Sequence, residues 1–214
     1  MFFDLDGTLI DPKIGITRSL QYALRRLKLR VPHEDELTWC IGPPLRSSLV
    51  KILGDNSLAD KAVSLYRERF SETGIYESTV YEGIVETLAA LIHLNRRLFV
   101  ATSKLQTFAE RIIVNFNLAP YFEGVFGAEM DGTRADKTEL LKHALDIGHV
   151  DPAQAVMVGD RSYDIIGARN NGMLALGVLY GYGSKEELAQ AGARYLCEKP
   201  QDVLAYVLGA NQTT

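Results

Sequence analysis

Cysteine, tryptophan and proline are scarce, with 2, 1 and 7 of them among 214 residues. The two cysteines, Cys40 and Cys197, belong to no Cys-x-x-Cys pair, which argues against a redox or zinc motif. We expect both to be small buried apolar residues. Unpaired thiols are usual in a reducing compartment, so we expect a cytoplasmic protein.

Long apolar runs and an excess of positive charge are also missing. Without about 18 consecutive apolar residues, no helix is expected to span a membrane, and the opening residues 1–4 do not resemble a secretory signal. The formal net charge is −4, whereas binding to nucleic acid requires a basic face. We therefore expect neither a membrane nor a nucleic-acid partner.

From residue 98 onward, short apolar runs alternate with segments of helical periodicity, which predicts strands alternating with helices. Because each run is apolar on both faces, the strands should form a parallel sheet covered by helices on two sides, an α/β fold. The predicted strands are Leu98–Ala101, Gly124–Gly127, Ala155–Val158, Leu174–Val178 and Ala193–Cys197.

The first ninety residues break this alternation. After a strand-like run at Met1–Leu5, only helical patterns follow. Two or three consecutive helices are too many for a single crossover between strands. We therefore predict an inserted helical domain at residues 14–80, and a core domain formed by residues 1–13 together with 81–214.

Polar residues follow the predicted strands, and ligands of parallel sheets bind at the carboxyl ends of the strands. Asp4 and Asp6 follow the first strand on the same side of the chain, where one carboxylate can attack an electrophile and the other can transfer a proton. Gly7 permits a sharp turn and a close approach by a substrate. The alternative is a simple Asp-Gly turn.

Two further strand ends carry groups that can bind an anion. Thr102 and Ser103 precede a helix, whose free amide groups can bind a phosphate; the alternative is an ordinary helix cap. Lys137 opens the next helix, where an ammonium group is unfavourable with the helix dipole. A bound phosphate or Asp4 would explain its position, and the alternative is an exposed lysine.

The fourth strand end supplies two more carboxylates, Asp160 and, one helical turn later, Asp164. Together with Asp4 and the carbonyl of Asp6 they form a set of oxygen ligands suited to Mg²⁺. A helix cap would explain one of the two acids but not both. The four strand ends should therefore converge on one crevice.

These motifs resemble those of the haloacid dehalogenase superfamily of phosphohydrolases. Asp4-Leu5-Asp6-Gly7-Thr8-Leu9 is similar to the first family motif, Thr102 to the second, Lys137 to the third, and Gly159-Asp160 with Asp164 to the fourth. The resemblance implies a Rossmann-like core with a helical cap inserted after the first motif. The dehalogenase branch lacks a carboxylate at the position of Asp6, so the resemblance implies a phosphatase or a phosphomutase.

The resemblance also implies a Mg²⁺-dependent mechanism. Asp4 would form an aspartyl-phosphate, and Asp6 would protonate the leaving group and then activate water. Thr102, Ser103 and Lys137 would hold the phosphate oxygens, with Gly7 lining the approach. The metal would be bound by Asp4, Asp6 and Asp160, and Asp164 would orient a metal-bound water or Lys137.

The predicted cap should contribute to specificity. The segment 41–46 resembles the cap loop of the family that extends toward the substrate, so Arg46 is expected to contact the leaving group; a solvated arginine is the alternative. Tyr66, Tyr76 and Tyr81 could line the cleft, although the helical spacing of Tyr66 favours the core. The segment Gly181-Tyr182-Gly183 resembles a loop that flanks the site in the phosphoglycolate phosphatase branch.

The substrate is expected to be a small phosphorylated metabolite. Phosphoglycolate phosphatases usually have a proline soon after the lysine of the third motif, and Lys137 is not followed by one. The segment Asp131–Arg134 resembles 5′-nucleotidase-like members, and Ser103, where many phosphatases of this type have asparagine, is another departure. We therefore expect a nucleoside 5′-monophosphate. Phosphoglycolate is the alternative substrate; a sugar phosphomutase, a non-catalytic phosphate-binding module and a signalling receiver fit less well. A monomer or weak homodimer is expected.

Overall fold

A six-stranded sheet organises the computed structural model, which describes residues 1–54 and 56–210. All adjacent strands of this sheet pair in parallel, in the order β5-β4-β1-β6-β7-β8. Two short strands, β2 and β3, form a separate antiparallel pair. The strands are β1 Phe2–Phe3, β2 Ile10–Asp11, β3 Thr79–Val80, β4 Phe99–Leu105, β5 Gly124–Ala128, β6 Val156–Gly159, β7 Leu174–Val178 and β8 Tyr195–Cys197.

Helices cover both faces of the sheet, as the apolar strands predict. Phe2 and Phe3 point to opposite faces of β1 and belong to two different apolar clusters, each containing residues of the helices that pack on that face. The expected α/β fold is confirmed. The helices are α1 Lys13–Arg26, α2 Leu45–Leu53, α3 Ala59–Glu72, α4 Ile84–His93, α5 Gln106–Asn115, α6 Lys137–Gly148, α7 Ser162–Asn170, α8 Lys185–Ala191 and α9 Gln201–Ala210.

Helices α1 to α3 lie between β2 and β3, in the segment for which we predict a cap. Ile10 pairs with Val80 in the β2–β3 ladder, so the chain leaves and returns through adjacent strands. The ring of Phe70 in α3 lies 5.3 Å from that of Phe108 in α5, which places α3 near the carboxyl end of β4. The domain limits 14–80 stay a prediction.

The strand limits predicted from the sequence agree best with those in the structure where the strand is purely apolar. Strand β7 has the predicted limits, whereas β4 was predicted to end at Ala101 and continues to Leu105. The prediction of the end of β4 is wrong because Thr102, Ser103 and Lys104 are polar and suggest a loop. Cys40 and Cys197 are free and buried, as expected. None of the helices in the described part of the chain is long and apolar enough to cross a membrane.

Candidate active site

The first two acidic residues lie in a tight turn at the centre of the sheet. Strand β1 lies between β4 and β6, and the amide of Asp4 donates a 2.9 Å hydrogen bond to the carbonyl of Val158 in β6. Gly7 then turns the chain with a φ of +84°, a conformation that favours glycine. A Cβ atom at Gly7 would lie 2.2 Å from Oδ2 of Asp160. The glycine therefore lets the first motif pack against the fourth.

Lys137 lies inside this cluster, and its side chain is 4% exposed. Its Nζ donates to Oδ1 of Asp4 and to the carbonyl of Ala101, both at 2.9 Å, and lies 2.7 Å from Oδ1 of Asp164. Burial alone would lower the pKa of Lys137, but the carboxylates of Asp164 and Asp4 outweigh it and raise the pKa. The alternative of an exposed lysine is therefore wrong.

The sequence around Lys137 explains its inward position. Asp136 is the N-cap of α6, and its Oδ1 accepts hydrogen bonds from the amides of Thr138 at 2.8 Å and Glu139 at 3.2 Å. This cap starts the helix at Lys137 and satisfies its first amides. On the other side, a Cβ atom at Gly167 of α7 would lie 2.8 Å from Cγ of Lys137. The lysine stem is therefore confined between two helices.

Asp160 and Asp164 are both buried, and each accepts hydrogen bonds that fix its position. Asp160 accepts from the hydroxyl of Thr8 at 3.3 Å and from the amide of Tyr182 at 2.8 Å. Asp164 accepts from the amide of Arg161 at 3.1 Å. Burial raises the pKa of both carboxyls, that of Asp164 to about 6 despite the nearby Lys137.

These carboxylates fit a divalent cation. One oxygen from each of Asp4, Asp160 and Asp164 lies within 4.8 Å of the others, and all three residues are buried. Buried carboxylates at such short separations repel each other unless a proton or a cation intervenes, and carboxylate oxygens are the ligands that Mg²⁺ prefers. The side chain of Asp6 does not belong to this group, so the predicted contribution of Asp6 to metal binding stays a prediction.

Asp6 is paired with a residue that was absent from the predicted site. Nζ of Lys104 lies 2.7 Å from Oδ2 of Asp6, and Oδ1 of Asp6 is buried with no hydrogen-bond partner among the described residues. Burial raises the pKa of Asp6, and Lys104 partly opposes this. Lys104 directly follows Thr102 and Ser103, but its role was missed because β4 was expected to end before it.

A cavity of about 520 Å³ separates the strand ends from the helices above them. Its lower wall contains five of the residues discussed above: Asp4, Asp6, Thr102, Ser103 and Lys104. Its upper wall is formed by residues 42–46 and one face of α3. The structure thus brings together both carboxylates of the first motif and the predicted phosphate-binding residues Thr102 and Ser103.

Of the four side chains predicted to lie near the substrate on the cap side, two line the cavity and two do not. Arg46 lines the cavity, but its Nε lies 2.9 Å from Oδ1 of Asp60 and its Nη1 donates to Asn56 at 3.2 Å. Tyr66 is buried in the apolar core, as its spacing favoured, while also lining the cavity. Tyr76 and Tyr81 are not part of the cavity wall.

The loop Gly181–Gly183 flanks the site, as the resemblance implied. A Cβ atom at Gly183 would lie 1.9 Å from the carbonyl oxygen of Asp160, so this position requires glycine. The Tyr182 hydroxyl donates to the carboxylate of Asp11 in β2. The loop therefore joins the Asp160 side of the site to the strand that leads into the helical segment.

Comparisons with known proteins agree with this arrangement. The family model for haloacid dehalogenase-like hydrolases matches residues 1–178. A 5′-nucleotidase of Pseudomonas aeruginosa is 44% identical over 198 residues, covering 92% of this chain and 90% of that protein. A tyrosine-protein kinase, PtkA of Mycobacterium tuberculosis, is 39% identical over 183 residues, covering 86% of this chain and 62% of that protein.

A solved structure extends the similarity to three dimensions. The crystal structure of a predicted phosphatase from Clostridium acetobutylicum superposes with a TM-score of 0.94 at 37% identity, covering 97% of each chain. The same fold, including the helices between β2 and β3, is therefore found in that protein.

Proposed function

This chain belongs to the haloacid dehalogenase-like hydrolases and is a phosphoric monoester hydrolase, and we propose that it dephosphorylates nucleoside 5′-monophosphates with the help of Mg²⁺. The main observation in support is the pairing of each carboxylate of the first motif with its own buried lysine. Lys137 contacts Asp4, Lys104 contacts Asp6, and both carboxylates line one cavity.

In the proposed reaction Asp4 is the nucleophile. Lys137 holds Oδ1, which leaves Oδ2 to attack phosphorus. A bond forms between Asp4 and phosphorus as the bond to the leaving alkoxide breaks, and the carboxylic acid of Asp6 gives its proton to that alkoxide. Asp6 then takes a proton from water, which attacks the aspartyl-phosphate and releases inorganic phosphate.

The remaining site residues bind rather than react. Thr102 and Ser103 would hold the phosphoryl oxygens, and Gly7 would leave room for the substrate. The Lys137 ammonium, whose three donors contact Asp4, Asp164 and the Ala101 carbonyl, would offset the negative charge of Asp4 and of the phosphoryl group. Mg²⁺ would be held by Asp4 and Asp160, together with Asp164 or a water that it orients, and when bound it offsets the repulsion between the carboxylate and the phosphoryl group.

Two observations support a nucleotide as the substrate. One is the 44% identity to a protein named 5′-nucleotidase. The other is the cavity of about 520 Å³, which is within the range of roughly 300–1,000 Å³ that is usual for small-molecule sites. Phosphoglycolate is a much smaller substrate and remains the competing candidate.

The test is phosphate release by the purified protein. We expect hydrolysis of nucleoside 5′-monophosphates to exceed that of phosphoglycolate and sugar phosphates, to stop in excess chelator and to return with Mg²⁺. The D4N variant should fold but lose hydrolysis of p-nitrophenyl phosphate, whereas D146N, at an exposed position of α6, should keep it.

Three results would contradict the proposal. Turnover by D4N close to that of wild type would refute the assignment of Asp4 as the nucleophile, and unchanged rates in chelator would refute the requirement for Mg²⁺. A clear preference for phosphoglycolate would make phosphoglycolate, and not a nucleotide, the proposed substrate.

A further inference from the structure

Three cationic side chains from the described part of the chain line the cavity, and they differ in what they contact. Lys104 is paired with Asp6, and Arg46 is paired with Asp60 and Asn56. Arg67 of α3 has no hydrogen-bond or ion-pair partner among the described residues. Of the three, Arg67 alone has none of its donors engaged by another described residue.

The position of Arg67 is unfavourable without such a molecule. Its side chain is partly buried, and this burial lowers the pKa of its guanidinium, with no compensating acid among the described residues. Removing a cation from water without giving it an acceptor costs free energy. Arginine also carries five donors in a planar arrangement that matches two adjacent acceptor atoms. The donors of Arg67 are therefore free to bind an acceptor group on a molecule in the cavity.

The surroundings of Arg67 indicate the shape of the missing group. Phe70 follows three positions later on the same helix face, about one turn away, and its ring lies 4.4 Å from Nζ of Lys104. Tyr66, Phe108 and Leu105 complete an apolar wall beside it. Apolar side chains of this kind can pack against the flat ring of a base, and they line the same cavity as Arg67 and the phosphate-binding residues.

We propose that Arg67 recognises the nucleobase of the substrate by donating two parallel hydrogen bonds to adjacent acceptor atoms. Guanine offers such a pair in O6 and N7, and cytosine offers one in O2 and N3. Adenine and uracil alternate donors with acceptors and offer no such pair. This inference rests on the proposed nucleotidase function and adds to it a preference among bases.

The experiment compares kcat/KM for GMP, CMP, AMP, UMP and p-nitrophenyl phosphate. A bidentate arginine–base pair contributes about 1–3 kcal/mol, so wild type should prefer GMP and CMP over AMP and UMP by roughly 5- to 150-fold. R67M should lose this preference through a higher KM for GMP and CMP, while its rate with p-nitrophenyl phosphate changes by less than about two-fold. R67K keeps the charge but not the planar donors, and it should lose the preference as well.

Two further variants separate Arg67 from the other arginines. Arg26 is paired with Glu68 of α3 and lies outside the cavity wall, so R26Q should retain the wild-type preference. R46Q tests the competing prediction that Arg46 contacts the leaving group. If R46Q abolishes the preference and R67M does not, the inference about Arg67 is wrong.

The remaining outcomes are equally decisive. If R67K keeps the full preference, charge alone suffices and bidentate recognition is refuted. An equal loss by R67M on GMP and on p-nitrophenyl phosphate would indicate a general structural role instead. If wild type hydrolyses no nucleoside monophosphate but does hydrolyse other phosphomonoesters, the proposed function itself fails, and this is visible before any variant is measured.

Discussion

Replacing Lys137 by methionine tests the charge network of the site by a stability measurement. The side chain is 4% exposed, and its Nζ lies 2.9 Å from Asp4 and 2.7 Å from Asp164. Removing one partner of a buried ion pair typically costs about 3–5 kcal/mol, because the other charge stays buried without compensation. For a chain of this size, that loss should lower Tm by roughly 6–20 °C at neutral pH.

The effect should depend on pH in a defined direction. The raised pKa of Lys137 lies above neutrality, so the lysine itself does not titrate between pH 5 and 8. In K137M the pKa of Asp164, which burial already raises, should rise further, since its cation is gone. The folded variant then binds more protons than the unfolded chain, so its stability falls as pH rises through that pKa. The destabilisation should be small at pH 5 and large at pH 8.

A double-mutant cycle with D164N isolates the ion pair. Oδ2 of Asp164 accepts from the amide of Arg161, so in D164N the new side-chain amide group takes the place of Oδ1 and points a donor at Lys137. D164N alone should therefore be destabilising, while in K137M/D164N that donor no longer faces an ammonium group. We expect a coupling free energy of about 1–3 kcal/mol in urea unfolding at pH 8. Additive losses, or a K137M variant as stable as wild type at pH 8, would refute the network.

Three other predictions concern neighbouring positions. G7A should be clearly less stable than G54A in urea unfolding. Both positions have a similar positive φ, but a Cβ atom at Gly7 would lie 2.2 Å from Asp160, whereas a Cβ atom at Gly54 would meet nothing within 4 Å. Equal losses of stability would contradict this. Burial raises the pKa of Asp160, so its ionisation destabilises the metal-free protein as pH rises through that pKa. D160N should therefore raise Tm in chelator at pH 8, and it should abolish the Tm increase that Mg²⁺ gives wild type. A metal response in D160N equal to that of wild type would argue against Asp160 as a ligand. Burial raises the pKa of Asp6, and Lys104 partly opposes this. K104M should therefore move the alkaline limb of the pH–kcat/KM profile with p-nitrophenyl phosphate to higher pH. A limb that stays in place or moves to lower pH would exclude Asp6 as the acid.

The sequence predicts best those site residues that directly follow apolar strands. Asp4 follows β1 and Asp160 follows β6, and these strands are neighbours in the sheet. Because parallel strands end at the same edge, their proximity can be deduced from strand order alone. Lys137 was predictable for a different reason, since an ammonium group at the start of a helix requires a compensating partner.

Residues whose position depends on packing could not be predicted in this way. Lys104 reaches Asp6 because β4 continues through polar residues to Leu105, which local hydrophobicity does not indicate. Arg67 lies on a helix face that also carries Val63, and nothing in the spacing separates an arginine that faces a cavity from one that faces solvent. Only the three-dimensional arrangement shows that Arg46 already has partners while Arg67 has none among the described residues.

The charges of the site explain why a fold would retain such an unfavourable cluster. Fully ionised, the four acids carry two more charges than the two lysines offset, in a region with little access to water. Those acids are Asp4, Asp6, Asp160 and Asp164, and the lysines are Lys104 and Lys137. A divalent cation supplies the two missing positive charges, and without it the excess must be relieved by protonation, which is the direction in which burial moves the pKa values of Asp6, Asp160 and Asp164. A protein selected for stability alone would replace these groups by apolar residues. Their persistence, with Gly7 and Gly183 making room for Asp160, is the expected cost of a site prepared for a cation and a phosphate.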